Sequence, residues 1–110
     1  MNYKLPIIEK YLQKNYPRVV SNVDFSNSYV YLGSSPEIPE EERRIKLDNI
    51  LITLDNTKGE YSKPELTKIK LKITEEINEN FDLNIYKYAS KYDIKFFVLT
   101  KITWEKWSSI

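Results

Sequence analysis

The 110-residue chain contains neither cysteine nor histidine. Without histidine it lacks the one side chain whose unperturbed pKa lies near neutrality, which is also the commonest metal ligand. Without cysteine it lacks the strongest side-chain nucleophile and the soft metal ligand. Ser-His and Cys-His relays, zinc fingers and thiol redox chemistry are therefore excluded. Glycine is scarce too: Gly33 and Gly59 stand alone in separate turns, so no glycine-rich loop is available to cradle a phosphate. Long apolar runs are missing. The longest clean one, Phe96-Phe97-Val98-Leu99, is far too short to cross a bilayer. Leu5-Pro6-Ile7-Ile8 is too short for the apolar region of a secretory signal. We expect neither a transmembrane chain nor one secreted by a signal peptide. No charge of one sign dominates: the formal net charge is +1, so no strong field draws the whole chain to nucleic acid or a membrane.

Aromatic residues are plentiful, at 14% of the chain, enough for a substantial core or an adhesive interface. The length fits a single domain spanning residues 1–110. Lys, Ile, Asn and Tyr together fill 45 of the 110 positions, beside a single Ala, a bias that fits an AT-rich genome such as those of many bacteria and their phages. Charge is divided along the chain. Residues 1–20 carry four bases and one acid, residues 33–65 eight acids and five bases, and residues 86–110 five bases and two acids. Basic ends and an acidic middle would suit head-to-tail docking of copies, but on charge alone the layout is first explained by the solvated faces of an ordinary domain.

Leu5, Ile8 and Leu12 recur at helical spacing, with Pro6 suited to a first turn and Tyr16-Pro17 as a stop, which predicts a helix over residues 4–15. Arg18–Val23 and Ser28–Leu32 read as two short strands joined by the turn-formers Asp24–Asn27. Ile45–Leu54 reads as a strand covered on both sides, because Ile50, Ile52 and Leu54 alternate with Leu51 and Thr53. Ser62 and Glu65 form a capping box opening a helix to about Asn80, with the stripe Leu66, Ile69, Ile73, Ile77 and Phe81. Tyr92–Trp104 alternates as a long strand whose centre is apolar on both faces, which predicts a covered centre and ends that project beyond the sheet. The order α-β-β-β-α-β predicts an α+β fold, with a mostly antiparallel sheet packed by two helices.

Chemistry-bearing groupings are few. Asp93 and Lys95 share a strand face, and Asp55 or Asp48 on a neighbouring strand offers a second carboxylate, the minimum of a magnesium-dependent nuclease. A surface ion pair explains the same spacing. The segment Pro36-Glu37-Ile38-Pro39-Glu40-Glu41-Glu42, followed by Arg43 and Arg44, reads as an arm that reaches a partner or as a solvated connector. The C-terminal quarter interleaves bases with aromatics, among them Tyr86, Tyr88, Trp104 and Trp107. Such a mixture holds single-stranded nucleic acid by stacking and phosphate attraction, or else supplies core and guarded edges. Trp107 folds back as a lid or anchors a partner.

The opening helix Leu5–Tyr16 running into Pro17-Arg18-Val19-Val20, the strand Ile50–Leu54 with the Glu65–Asn80 helix behind it, and the closing strand ending at Trp104 together resemble the tail-terminator and tail-completion proteins of tailed bacteriophages. The resemblance implies a non-enzymatic, ring-forming structural protein that joins tail to head, without catalytic residue, metal or cofactor, found in the virion or the host cytoplasm. Its partners would be further copies of itself and neighbouring virion proteins. A small phage-encoded inhibitor or immunity-type protein of the anti-CRISPR kind is the alternative, and a single-stranded nucleic-acid binder the third. The candidate interface residues are Pro36, Glu37, Pro39, Glu40, Glu41, Glu42, Arg43, Arg44, Tyr86, Tyr88, Trp104 and Trp107.

Overall fold

The computed structural model describes residues 3–31, 44–85 and 90–101. Its elements are α1 (Lys4–Asn15), β1 (Val20–Tyr31), β2 (Arg44–Asn56), α2 (Lys63–Phe81) and β3 (Tyr92–Thr100). The fold is α+β, as the element pattern predicts. Among the described residues the sheet has three strands, in the order β1-β2-β3. It is mixed rather than mostly antiparallel as expected: β1 pairs antiparallel with β2, and β2 pairs parallel with β3. The parallel pair follows from α2, because a chain that crosses back over a helix re-enters the sheet in its original direction. No described helix is long and apolar enough to cross a membrane.

The expected break within β1 is overturned. The expected turn at Asp24–Asn27 lies inside the single strand Val20–Tyr31, with unbroken pairing from Asp24 opposite Leu51 to Asn27 opposite Asp48. Turn propensity is local, whereas β2 offers a long partner and a buried face. Val23 and Phe25 turn to the core while Asn22, Asp24 and Ser26 alternate to the other side, so pairing overrides the propensity of the polar residues. An irregularity between Val20 and Asn22 resets the register at the entry to β1.

The helices start and stop where their chemistry directs. α1 ends before Pro17, and the Tyr16 N–H closes the last turn on the Leu12 carbonyl at 2.9 Å. At the start of α2 the Ser62 hydroxyl accepts from the Glu65 N–H while the Glu65 carboxylate accepts from the Ser62 N–H, the reciprocal capping box. α2 ends at Asp82 in the left-handed region (φ 50°). Asn78 closes that end through its carbonyl to the Leu83 N–H and its side-chain oxygen to the Ile85 N–H.

The core lies between the helices and one face of the sheet. Ile8 and Leu12 of α1, and Leu66, Ile73 and Ile77 of α2, pack with Val23, Ile50, Ile52 and Leu54. Ile69 and Phe81 complete the α2 stripe as partly buried residues. Leu71 is exposed, as a helix requires of the alternating stretch around it and a strand would not.

Candidate interaction surface

Both helices touch each other and so share one side of the sheet. The opposite face is formed by the alternate residues: Asn22, Asp24, Ser26 and Ser28 of β1; Asn49, Leu51, Thr53 and Asp55 of β2; Asp93, Lys95, Phe97 and Leu99 of β3. The expectation of a β3 centre covered on both faces fails here. Phe97 is 73% exposed and Leu99 44%, because no described helix lies over them. Leu51 and Thr53, flanked by strands on both sides, are half-buried.

Asn49 is the one buried polar side chain among the described residues. Its amide donates to the Ser26 and Ser28 hydroxyls at 3.3 and 3.0 Å, and its Oδ1 has no hydrogen-bond partner. Each edge of the sheet carries a local cap. Asp24 Oδ1 accepts from the Phe25 N–H at 2.9 Å, and Asp93 Oδ1 from the Ile94 N–H at 3.0 Å.

The residues proposed for a nuclease are not brought together. Asp48 lies on the helix side of β2 and Asp93 on the other, since Asn49 rather than Asp48 is paired with Asp93. Asp55 shares the face of Asp93 but stands six positions along β2 from Asn49, about 20 Å away. Its carboxylate is instead occupied by the Thr57 hydroxyl (2.6 Å) and N–H (3.0 Å), which hold its pKa below the ordinary carboxylate value. Among the described residues no group of three acidic, histidine or cysteine side chains is placed to hold a metal.

Of the candidate interface residues only Arg44 lies among the described ones. It opens β2, and its guanidinium sits 4.7 Å from the centre of the Tyr29 ring, a cation–π contact between the two strands. Pro36, Glu37, Pro39, Glu40, Glu41, Glu42, Arg43, Tyr86, Tyr88, Trp104 and Trp107 lie outside the described residues.

One cluster escaped the sequence reading. Tyr11 and Tyr16 both donate to Glu76 Oε2, at 3.1 and 2.6 Å, and Asn80 Nδ2 donates to the Tyr11 hydroxyl at 3.2 Å. Burial, then the neighbouring Glu76 carboxylate, push both tyrosine hydroxyls above their ordinary pKa. The only signal was an anomaly: acids in the second half of α2 oppose the helix dipole, and Glu76 sits there to bind α1. The cluster ties the two helices together.

A shallow cleft of about 300 Å³ opens where β2 gives way to α2, lined by Arg18, Asp55, Asn56, Lys58, Glu60 and Tyr61. Asn56 braces it, accepting from the Tyr61 N–H and donating to the Tyr61 carbonyl, both at 3.1 Å. Gly59, at φ +66°, makes the turn possible. Bases and acids alternate around this cleft, so it presents no concentrated charge. No protein-family model matches the chain, and comparison with curated proteins and with solved structures gave no match.

Proposed function

We propose that this chain is a non-enzymatic assembly protein, a ring-forming tail-terminator or head–tail joining component of a phage or related mobile element. The observation that supports this reading best is the open face of the sheet. It lies between two edge strands and carries Phe97, 73% exposed, where a protein that acts alone keeps apolar side chains off its edges. The lack of cysteine and histidine agrees with work done by surfaces rather than by reaction. The phage assignment comes by resemblance alone, through the opening helix, the Ile50–Leu54 strand with the helix that follows it, and the closing strand. Sedimentation at rising concentration, with electron microscopy of the product, tests the reading. Discrete rings are expected, and a chain that stays monomeric at high concentration would sink it.

The second reading is a single-stranded nucleic-acid binder, favoured by Phe97 lying two residues from Lys95 on the same open face. Stacking on an exposed ring beside a cation is how such strands are held. Binding of a labelled oligonucleotide should then weaken steeply with salt; a flat salt response removes this reading.

A further inference from the structure

We propose that copies of this chain join edge to edge, the outer edge of β3 in one copy pairing antiparallel, without a shift along the strands, with the outer edge of β1 in the next. The proposal rests on the reading as a self-assembling protein and names the contact it would use. Among the described residues β1 and β3 are the two edges of the sheet. Asp24 and Lys95 both flank Leu51, one from each side. They therefore stand in the same row, on the same open face, at opposite edges, and both are exposed. Continuing the sheet unshifted into a second copy brings Lys95 directly opposite Asp24 of the next copy.

The other rows continue with the same consistency. Ser26 and Asp93 both flank Asn49, so a hydroxyl donor meets a carboxylate. On the helix side Phe25 and Ile94 both flank Ile50, and Val23 and Phe96 both flank Ile52. Ile94 then meets Phe25 and Phe96 meets Val23, which extends the apolar rows from copy to copy. Strand direction agrees as well. β1 runs against β2 and β3 runs with it, so β3 and the next copy's β1 are antiparallel. The contact is heterologous, and a heterologous contact that closes makes a ring. A shift along the strands, repeated at every contact, climbs instead into a filament.

The two aspartate caps fit the same exchange. In a single chain they block Phe25 N–H on one edge and Ile94 N–H on the other. In the unshifted register those residues lie opposite each other, so assembly replaces both local bonds with ladder bonds. Asp24 is then released to Lys95.

The cysteine-free chain makes the test direct. Asn22 and Phe97 both flank Thr53 and fall opposite each other between copies. The Asp48 N–H donates to the Lys91 carbonyl at 2.8 Å, which aims the odd-numbered β3 residues at β2. The pair is therefore a non-hydrogen-bonded one, with Cα atoms about 4.5 Å apart, within disulfide range. Oxidised Asn22→Cys/Phe97→Cys protein should give a ladder of covalent multimers on a non-reducing gel, and neither single variant should. A covalent dimer from Phe97→Cys alone would mean two-fold pairing through β3 and would overturn the proposal. Asp24→Lys or Lys95→Asp should weaken assembly by about tenfold or more, and the double exchange should restore it. Wild-type protein that assembles while the double-cysteine variant gives no ladder overturns this contact and leaves the assembly reading standing. Wild-type protein that never assembles overturns both.

Discussion

The two faces of the sheet are cut from alternate residues of the same strands, yet one is a core and the other a surface. On the helix side Ile50, Ile52 and Leu54 are fully buried. Between them Leu51 and Thr53 are half-buried, and beyond them Asp24, Lys95 and Phe97 meet solvent. Because α1 and α2 both lean on one side and clasp each other through Glu76, the first face supplies the cohesion of the domain. The second is left free of that duty. Residues there can be polar, charged or exposed and aromatic without cost to folding, which is the condition for using them in contacts between copies.

The contrast breaks most visibly if the two faces are truncated in turn. Ile52→Ala removes a side chain that is 1% exposed and should lower unfolding free energy by about 2–5 kcal/mol in urea denaturation. Leu51→Ala, its immediate neighbour on the other face, should cost well under half of that. Equal losses would mean that the second face is a core as well.

Smaller effects come from the devices that hold the helical layer in place. Ser62→Ala removes the capping hydroxyl of α2 and should cost about 1 kcal/mol, read from the same denaturation. Tyr16→Phe deletes the 2.6 Å bond to Glu76 and should cost a similar amount.

The tyrosine cluster also sets a pH dependence. Both hydroxyls have pKa values raised in the folded chain above the ordinary 10.0. In the unfolded chain they ionise first, so their contribution is complete below about pH 10 and is lost as the pH climbs toward the folded values. Stability should fall with rising alkalinity, and Tyr16→Phe should flatten that fall. A decline of the same slope in the variant would remove the cluster as its cause.

Smallest of all is Thr57→Val, in the turn just beyond β2. Without the 2.6 Å hydroxyl bond the Asp55 pKa should move up toward its ordinary value in a carboxylate NMR titration, with little change in stability. A large loss of stability there would place this turn with the core rather than with the surface.

Much of the fold was legible because the signals were local. Leu5, Ile8 and Leu12, the Tyr16-Pro17 stop, the Ser62–Glu65 box and the stripe from Leu66 to Phe81 each lie within a few turns of chain, where spacing alone reports which face is apolar. The strand cores around Ile50 and Phe96 were legible for the same reason. The run Asp24–Asn27 misled, since its turn preference is real but weaker than pairing with a strand more than twenty residues away. The surface was harder to read than the core. Asp24 and Lys95 are distant in the chain and carry no motif, and only their shared neighbour Leu51 puts them in one row. Tyr11, Tyr16 and Glu76 were likewise joined by helix packing, for which neither helix's own pattern gives a sign.

By itself the sequence determined where helices begin and end, which residues alternate, and which familiar chemistries are closed to a chain without histidine and cysteine. Tertiary structure decided the rest: that β1 is one strand, that β3 joins the sheet in parallel, that both helices take the same side, and that Phe97 is left in solvent. The division has one physical cause. Backbone propensity, capping and periodicity act over a few residues and are written along the chain. Strand register and the choice of covered face are set by contacts between distant segments, whose energies exist only once the chain has folded.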